Sequence, residues 1–506
     1  MNRADLERSV ISFFNPLLKA VVSPFDVDCN QDGNLLINSL KAFLGAEINL
    51  CRRCRRRYRY LIHPAYRFFS RIMKLDYEFM RNNFLNPGYG LAWLKGYALM
   101  MKGIRKYGVR MPFTPAGPFE IVWNLTHVCN LRCAHCYEDA GAFKPELSTD
   151  EALQVLDVLS KVSGIGVPAL SFSGGEPLMR KGFFEIASYA KKRIPYLSIA
   201  TNGTLLTKDT VSRIKDVGID YVEISLDGAS PHVHDSFRGV PGAFKKTVSG
   251  IKNAKDAGLD VCIATTAHKM NLAEIPQVLD IVDQHGTRFM HFNYIPTGRA
   301  KDHVALDLTP DERRELLELL ADRIIALYFK AKQEEEEKRD SQINVARFFS
   351  TSPQFAPVTR DVANAKGAEI NVSAHYSVMA GVQAVANFLG GCGAGRLYAA
   401  LEPNGDLKPC VFLPTNNDNV IGNILREDFE HLWDTSEKLW ELRSRTNLKT
   451  HTVEGKQIGC GQCENRYICG GCRARSYAYF GSYVDPDVGC IKNTELWKRV
   501  TGAIPA

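Results

Sequence analysis

Asn124-Leu-Thr-His-Val-Cys-Asn-Leu-Arg-Cys-Ala-His-Cys-Tyr137 places three thiols on one short loop. Cys129, Cys133 and Cys136 stand at C-x3-C-x2-C spacing, directly after an apolar run, Phe119–Trp123, that reads as a strand. Three thiolates so placed can hold three irons of a 4Fe–4S cluster and leave the fourth iron open to a small molecule. Zinc knuckles also use closely spaced cysteines, so the loop needs a companion. Ser173-Gly-Gly-Glu-Pro177 supplies it, immediately after the next expected strand.

Outward from these motifs, short β-branched or aromatic runs alternate with helical stretches from Gly117 to about Gly298. Strands are expected at Phe119–Leu125, Ala169–Ser173, Tyr196–Thr201, Tyr221–Ser225, Leu259–Thr265 and Phe289–Ile295. Helices are expected at Thr149–Val162, Gly182–Arg193, Lys208–Val217, Ala243–Ala257 and Leu272–His285. Repeated strand–helix units of this size imply a parallel sheet with right-handed crossovers, here an α/β partial (β/α)6 TIM-like barrel. Two further turns, Ala200-Thr-Asn-Gly203 and Ser225-Leu-Asp-Gly228, also follow strands. Each alone is ordinary punctuation. Together they converge on the C-terminal mouth, where such barrels place their ligand groups.

The order of these motifs resembles the radical S-adenosylmethionine (SAM) superfamily. That resemblance implies that Cys129, Cys133 and Cys136 ligate a cluster whose open iron chelates the methionine part of SAM. It implies that Gly174, Gly175, Glu176 and Pro177 meet the methionine amino group, with two glycines allowing close backbone approach. Asn202, Ser225 and Asp227 fall where the family makes ribose and carboxylate contacts. His135 takes the place of the usual aromatic beside adenine. A ferredoxin- or flavodoxin-type electron donor is implied as partner.

Seven of the fourteen cysteines lie in the last 115 residues, as Cys392-x12-Gly405-x4-Cys410, Cys460-x2-Cys463-x5-Cys469-x2-Cys472 and Cys490. This pattern resembles the SPASM extension, which houses two auxiliary 4Fe–4S clusters; the family usually has three residues where Gly470-Gly471 gives two. By that analogy Cys460, Cys463, Cys469 and Cys490 close one cluster, and Cys392, Cys410 and Cys472 hold the other. Spacing alone also permits a pair of zinc sites. Cys262, inside an expected strand, reads as a small buried hydrophobe.

The composition, 45% hydrophobic and 24% charged over 506 residues, is that of an ordinary globular protein. No apolar run is long enough to span a membrane, and Met1–Ala20 lacks a convincing secretory cleavage site. Cysteines at metal spacing then point to a reducing cytoplasm. Residues 1–112 carry 19 Lys+Arg against 8 Asp+Glu, whereas the whole chain is only +7. The basic excess is therefore N-terminal. Cys29-x2-Asp32-x18-Cys51-x2-Cys54 in this region resembles a zinc-ribbon or rubredoxin-like knuckle, either a mononuclear zinc or iron site or one that has lost its metal. Arg53 and Arg55 are expected to lower the Cys54 thiol pKa.

Four regions follow: 1–112, basic and helical with the knuckle; 113–300, the radical SAM core; 301–391, a helical bridge opening with Thr309 as N-cap and Pro310 at N1; and 392–506, the SPASM region. Basic and apolar residues interleaved over 52–110 suit peripheral contact with a membrane surface; a helical cap on the barrel accounts for them equally. A nucleic-acid platform is disfavoured, because no recognised module accompanies the arginines. The expected activity is reductive SAM cleavage followed by hydrogen abstraction from an unactivated C–H. The favoured outcome is C–C bond formation or oxidation on a membrane lipid, such as cross-linking of archaeal-type ether chains. The alternatives are a peptide or protein maturase, a tetrapyrrole or heme biosynthesis enzyme, and, in another class, an iron–sulfur electron carrier.

Overall fold

The computed structural model describes residues 15, 16, 19, 28, 29, 33–72, 77–141, 144–337, 347–368, 370, 372 and 389–502. Six strands form as the alternation requires: β1 Glu120–Asn124, β2 Ala169–Ser173, β3 Tyr196–Thr201, β4 Tyr221–Ser225, β5 Asp260–Ala267 and β6 Arg288–Asn293. Each pairs in parallel with the next, and together they make the open barrel. Their outward side chains, among them Ile121, Trp123, Leu170, Phe172, Ile199 and Ile224, are fully buried under the crossover helices. The first of these helices, Thr149–Leu159, starts on a reciprocal cap. Glu151 N–H donates to Ser148 Oγ at 3.2 Å, and the Glu151 carboxylate accepts from Ser148 N–H at 2.8 Å.

The sheet extends past six strands at both edges. β7, Phe348–Ser350, adds in parallel to β6, and β8, Tyr398–Leu401, adds in parallel to β1 with Tyr398 opposite Glu120 and Leu401 opposite Trp123. β9 (Asp406–Lys408) and β10 (Gly422–Asn423) continue antiparallel from β8. The expected helical bridge over 301–391 therefore also carries a strand. It contributes β7 and the helix Phe355–Ala365, while 373–388 lie outside the described residues. β7 and β8 are three and four residues long, too short to show a period, and only long-range pairing makes them strands. The long helix Pro310–Glu336 forms with the Thr309 cap as expected: Glu312 N–H donates to Thr309 Oγ1 at 3.2 Å.

The N-terminal region has its own core, built on Leu35, Leu36, Leu40, Leu50, Cys54, Ile62, Leu94 and Leu99. Its last helix, Gly90–Tyr107, lies on the barrel and on the C-terminal region. Lys102 Nζ donates to Ser163 O at 2.8 Å, Lys106 and Tyr107 bond Asp434, and a Cβ on Gly103 would stand 2.5 Å from Thr114 O. For this helix the structure favours the barrel cap. Among the described residues no helix is long and apolar enough to cross a membrane.

Burial inside the barrel has a measurable consequence. Glu120 and Glu223 point into the lumen, where burial pushes their carboxyls up to about 7 and about 8, Glu223 being raised further by Glu120. A folded pKa above the unfolded value binds extra protons in the native state. The stability they contribute is complete below about pH 4.3 and is lost as pH rises through 7 and 8. Glu223→Gln should therefore raise the thermal midpoint progressively from pH 5 to pH 8.5. A midpoint gain that shrinks with rising pH would contradict this assignment.

Candidate active site

The cluster loop leaves β1 at Asn124 and is stitched to the turn that leaves β2. Gly175 N–H donates to Thr126 O at 2.7 Å, and Glu176 N–H donates to Val128 O at 2.8 Å. This close approach explains both glycines. A Cβ on Gly174, at φ 125°, would sit 2.5 Å from Thr126 O, and one on Gly175 would sit 2.3 Å from Val128 O. Gly175→Ala must push the two loops apart. We expect a loss of about 1–3 kcal/mol in unfolding free energy and a sharp fall in iron incorporated at the loop, read by urea titration and iron assay.

Glu176 is fully buried and pins the third strand end. Its carboxylate accepts from Thr201 Oγ1 at 2.8 Å and from Asn202 N–H at 2.9 Å, while burial pushes its pKa up to about 7. Asn202 in turn donates to Asn130 Oδ1 at 2.8 Å, tying the ATNG turn to the cluster loop. Pro177 opens the short helical turn Pro177–Met179. Ser225 ends β4 opposite Ala264 and is half-buried.

Asp227, fully buried, faces Arg238 at 2.6 Å and also accepts from Thr266 N–H at 2.8 Å. Arg238 donates to Cys133 Sγ at 3.6 Å, so it links the SLDG turn to the thiol loop. The helix carrying Arg238, Pro231–Arg238, escapes the sequence reading; Ser230 as N-cap with Pro231 at N1 was the available signal. The same helix positions Phe237. His135 stacks on Phe237 with ring centroids 4.4 Å apart, and Phe237 stacks on His268 at 3.5 Å. Burial, then Arg238, holds His135 well below its ordinary pKa, so its ring is neutral and aromatic in character. Leu131 N–H and Ala140 N–H donate to Cys129 Sγ and Cys136 Sγ at 3.4 and 3.3 Å. Arg299 donates to Cys133 O at 2.9 Å and closes the loop from the far side. His127 Nδ1, His135 Nδ1 and Thr297 Oγ1 are buried with no protein hydrogen bond, leaving polar capacity for a ligand at this mouth.

The C-terminal thiols fall into two sets. Cys460 neighbours Cys463, Cys469 and Cys490, and Cys392 neighbours Cys410 and Cys472. Gly470 and Gly471, at φ 68° and 67°, make the tight turn between Cys469 and Cys472 that a shortened spacing requires. The second set lines a small cavity together with the barrel residues Asn293 and Ile295. Asp487 braces this region, accepting from Cys472 N–H at 2.7 Å and from Arg475 at 3.1 Å.

Sulfur spacing tests the metal type. Tetrahedral zinc holds its thiolates about 3.8 Å apart, whereas the corners of a cubane keep them on the order of 6 Å apart. Among the described residues the one group of three or more ligand atoms within 4.8 Å of one another is Cys29, Cys51 and Cys54. Among the described residues neither the cluster loop nor the C-terminal sets bring three sulfurs that close, so none of them presents the spacing of a tetrahedral zinc site. At the N-terminal trio burial, and then the two neighbouring thiols, push Cys54 up to about 12, reversing the expected lowering by Arg53 and Arg55. Asp32, the fourth ligand expected there, lies outside the described residues.

Comparison with known proteins agrees with this geometry. Residues 123–282 match the radical SAM superfamily model, and residues 392–465 match the SPASM iron–sulfur cluster-binding domain model. The chain is 35% identical to the AdoMet-dependent heme synthase of Methanosarcina barkeri, over 74% of this chain and 96% of that protein. It is 30% identical to the Fe-coproporphyrin III synthase of the same organism, over 74% and 88%. It is also 30% identical to the mycofactocin maturase MftC of Mycobacterium tuberculosis, over 74% and 83%. Among solved structures, Streptococcus suis SuiB bound to S-adenosylmethionine superposes with a TM-score of 0.54 at 18% identity, covering 85% of this chain and 89% of that one. The chain belongs to the radical SAM superfamily, and it is an enzyme of the SPASM branch that works with 4Fe–4S clusters and S-adenosylmethionine.

Proposed function

We infer that this enzyme oxidises a C–H position of a heme-type tetrapyrrole. The observation that carries the oxidative outcome is the cavity shared by Cys392, Cys410 and Cys472 with Asn293 and Ile295 of the barrel. It would put an auxiliary electron acceptor beside the place where a substrate radical forms. The substrate class rests on the relatives: heme synthase and Fe-coproporphyrin III synthase are among the named proteins at 30% identity or more.

When bound, SAM and the reduced cluster, charged by a ferredoxin- or flavodoxin-type donor, supply a 5′-deoxyadenosyl radical that takes hydrogen from an unactivated C–H. The protein's own part is placement. Cys129, Cys133 and Cys136 would hold the cluster, and the turn Gly174–Pro177 would offer its backbone to the methionine amino group. Asn202, Ser225 and Asp227 line the strand ends where ribose and carboxylate would lie, and neutral His135 offers a ring face to adenine. Tyr137 and Phe412 pack edge to face at 5.1 Å and join the cluster loop to the C-terminal region.

The peptide alternative draws on the mycofactocin maturases among the relatives. The lipid reading suggested by the basic N-terminal fifth finds no counterpart in the relatives' names, which back the tetrapyrrole and peptide alternatives instead. Anaerobic incubation with SAM and dithionite separates them. At least one of a panel of heme-precursor tetrapyrroles, with and without iron, should give substrate-dependent 5′-deoxyadenosine and a new tetrapyrrole mass. Release of 5′-deoxyadenosine that responds only to lipid extract or to a peptide would overturn the tetrapyrrole assignment.

A further inference from the structure

The N-terminal thiol trio stands apart from every residue used so far. Cys29 and Cys54 are 3% and 4% exposed, Cys51 is half-buried, and all three are free of disulfide bonds. They converge from two elements. The hairpin Asp28–Cys29/Gly33–Asn34 presents Cys29, and Cys51 and Cys54 flank the first turn of the helix Arg52–Arg57. Cys51 N–H donates to Cys29 Sγ at 3.5 Å, and Cys54 N–H donates to Cys51 Sγ at 3.5 Å. Backbone N–H groups aimed at sulfur suit a thiolate acceptor.

We propose that Cys29, Cys51 and Cys54 hold a single thiophilic divalent cation, zinc or ferrous iron, separate from the iron–sulfur clusters. Three sulfurs within 4.8 Å of one another match the spacing of three corners of a tetrahedron around one ion, with sulfur about 2.3 Å from the metal. They stand too close for the corners of a cubane. A disulfide would satisfy two sulfurs and strand the third, buried in an apolar core beside Leu35, Leu36 and Leu50.

Three thiolates around a divalent cation carry a net −1, and the helix that supplies Cys54 exposes Arg52, Arg53, Arg55 and Arg56 to solvent. Arg55 also donates to Leu50 O at 3.2 Å, fixing the chain that leads into Cys51. The site has a structural purpose. The hairpin strands are two residues each, too short to hold themselves in place. An ion would tie them to the helix and so close the small N-terminal core, as metals do in domains with few buried side chains. This inference does not depend on the substrate.

Metal analysis of the full-length, anaerobically purified protein tests it. Wild type should carry one zinc per chain, or one iron beyond those of the clusters. The extra iron would give, after mild oxidation, the high-spin ferric signal of a mononuclear thiolate site. Cys29→Ser combined with Cys54→Ser should lose that one ion, while Cys262→Ser should keep it. Because the double variant could fail to fold, X-ray absorption of wild type provides a second reading. For zinc, a shell of three sulfurs at about 2.3 Å is expected. Unchanged metal content in a folded double variant would overturn the site, as would a wild-type zinc shell of light atoms only or the absence of any metal beyond the clusters.

Discussion

Cys133→Ala should abolish 5′-deoxyadenosine formation, with a loss on the order of 10³-fold or more, because a cubane deprived of one of three protein ligands is no longer held at the site. The effect should be specific to the loop. Cys262 is equally buried, but it sits in β5 as a small hydrophobe, its thiol bonded weakly to Ile263 O. Cys262→Ala should lower stability slightly and leave SAM cleavage intact. Iron assay and low-temperature electron paramagnetic resonance of the reduced protein provide the comparison. Cys133→Ala should lose the signal that shifts on adding SAM while the auxiliary signals remain. Full SAM cleavage by Cys133→Ala would remove the loop from the active site.

Arg238→Ala should have the largest effect of any non-cysteine change. Arg238 is 7% exposed and Asp227 is fully buried, with 2.6 Å between guanidinium and carboxylate. Removing the cation leaves Asp227 charged in a site that cannot solvate it, a cost of about 3–5 kcal/mol. It also removes the donor to Cys133 Sγ, and with it the link between the SLDG turn and the thiol loop. The expected result is a lower urea midpoint together with weakened SAM binding. The double variant Arg238→Met, Asp227→Asn should recover most of the stability without recovering SAM binding, since no buried charge is then left unpaired. Equal stability of wild type and Arg238→Ala would mean that Asp227 finds another partner.

The lumen acids and Asp227 are all raised by burial, and they differ in whether a cation opposes it. Glu120 and Glu223 have no cation placed against them, and burial drives their pKa upward. Asp227 is also raised by burial, but Arg238 pulls it back. Within β4 the alternation that buries Val222 and Ile224 under the helices turns Glu223 to the lumen. The countercharge on Asp227 is Arg238, eleven residues further along, and no local pattern tells which acid that arginine will meet.

Much of the core could be read without coordinates because its information is local. β2, β3 and β4 begin and end where their β-branched and aromatic runs do, and the turns carrying Glu176, Asn202 and Asp227 follow strands because parallel strand–helix units allow no other placement. The C-terminal region was legible in the same way: its cysteine spacing resembles the SPASM pattern although Gly470-Gly471 shortens it, and residues 392–465 match that domain model. Three matters needed the folded molecule. β7 and β8 become strands only by pairing with β6 and β1, so the breadth of the sheet was hidden. The helix Gly90–Tyr107, basic and apolar enough to suggest a membrane, spends its small residues against the barrel, with Gly103 in contact with Thr114. The roles of Arg238 and Phe237 depend on a side-chain meeting between separate turns. Period, spacing and turn chemistry are properties of neighbouring residues and survive in the sequence. Partner choice across the sheet and around a buried charge is a property of the packed chain, fixed only when distant segments bury the same surface.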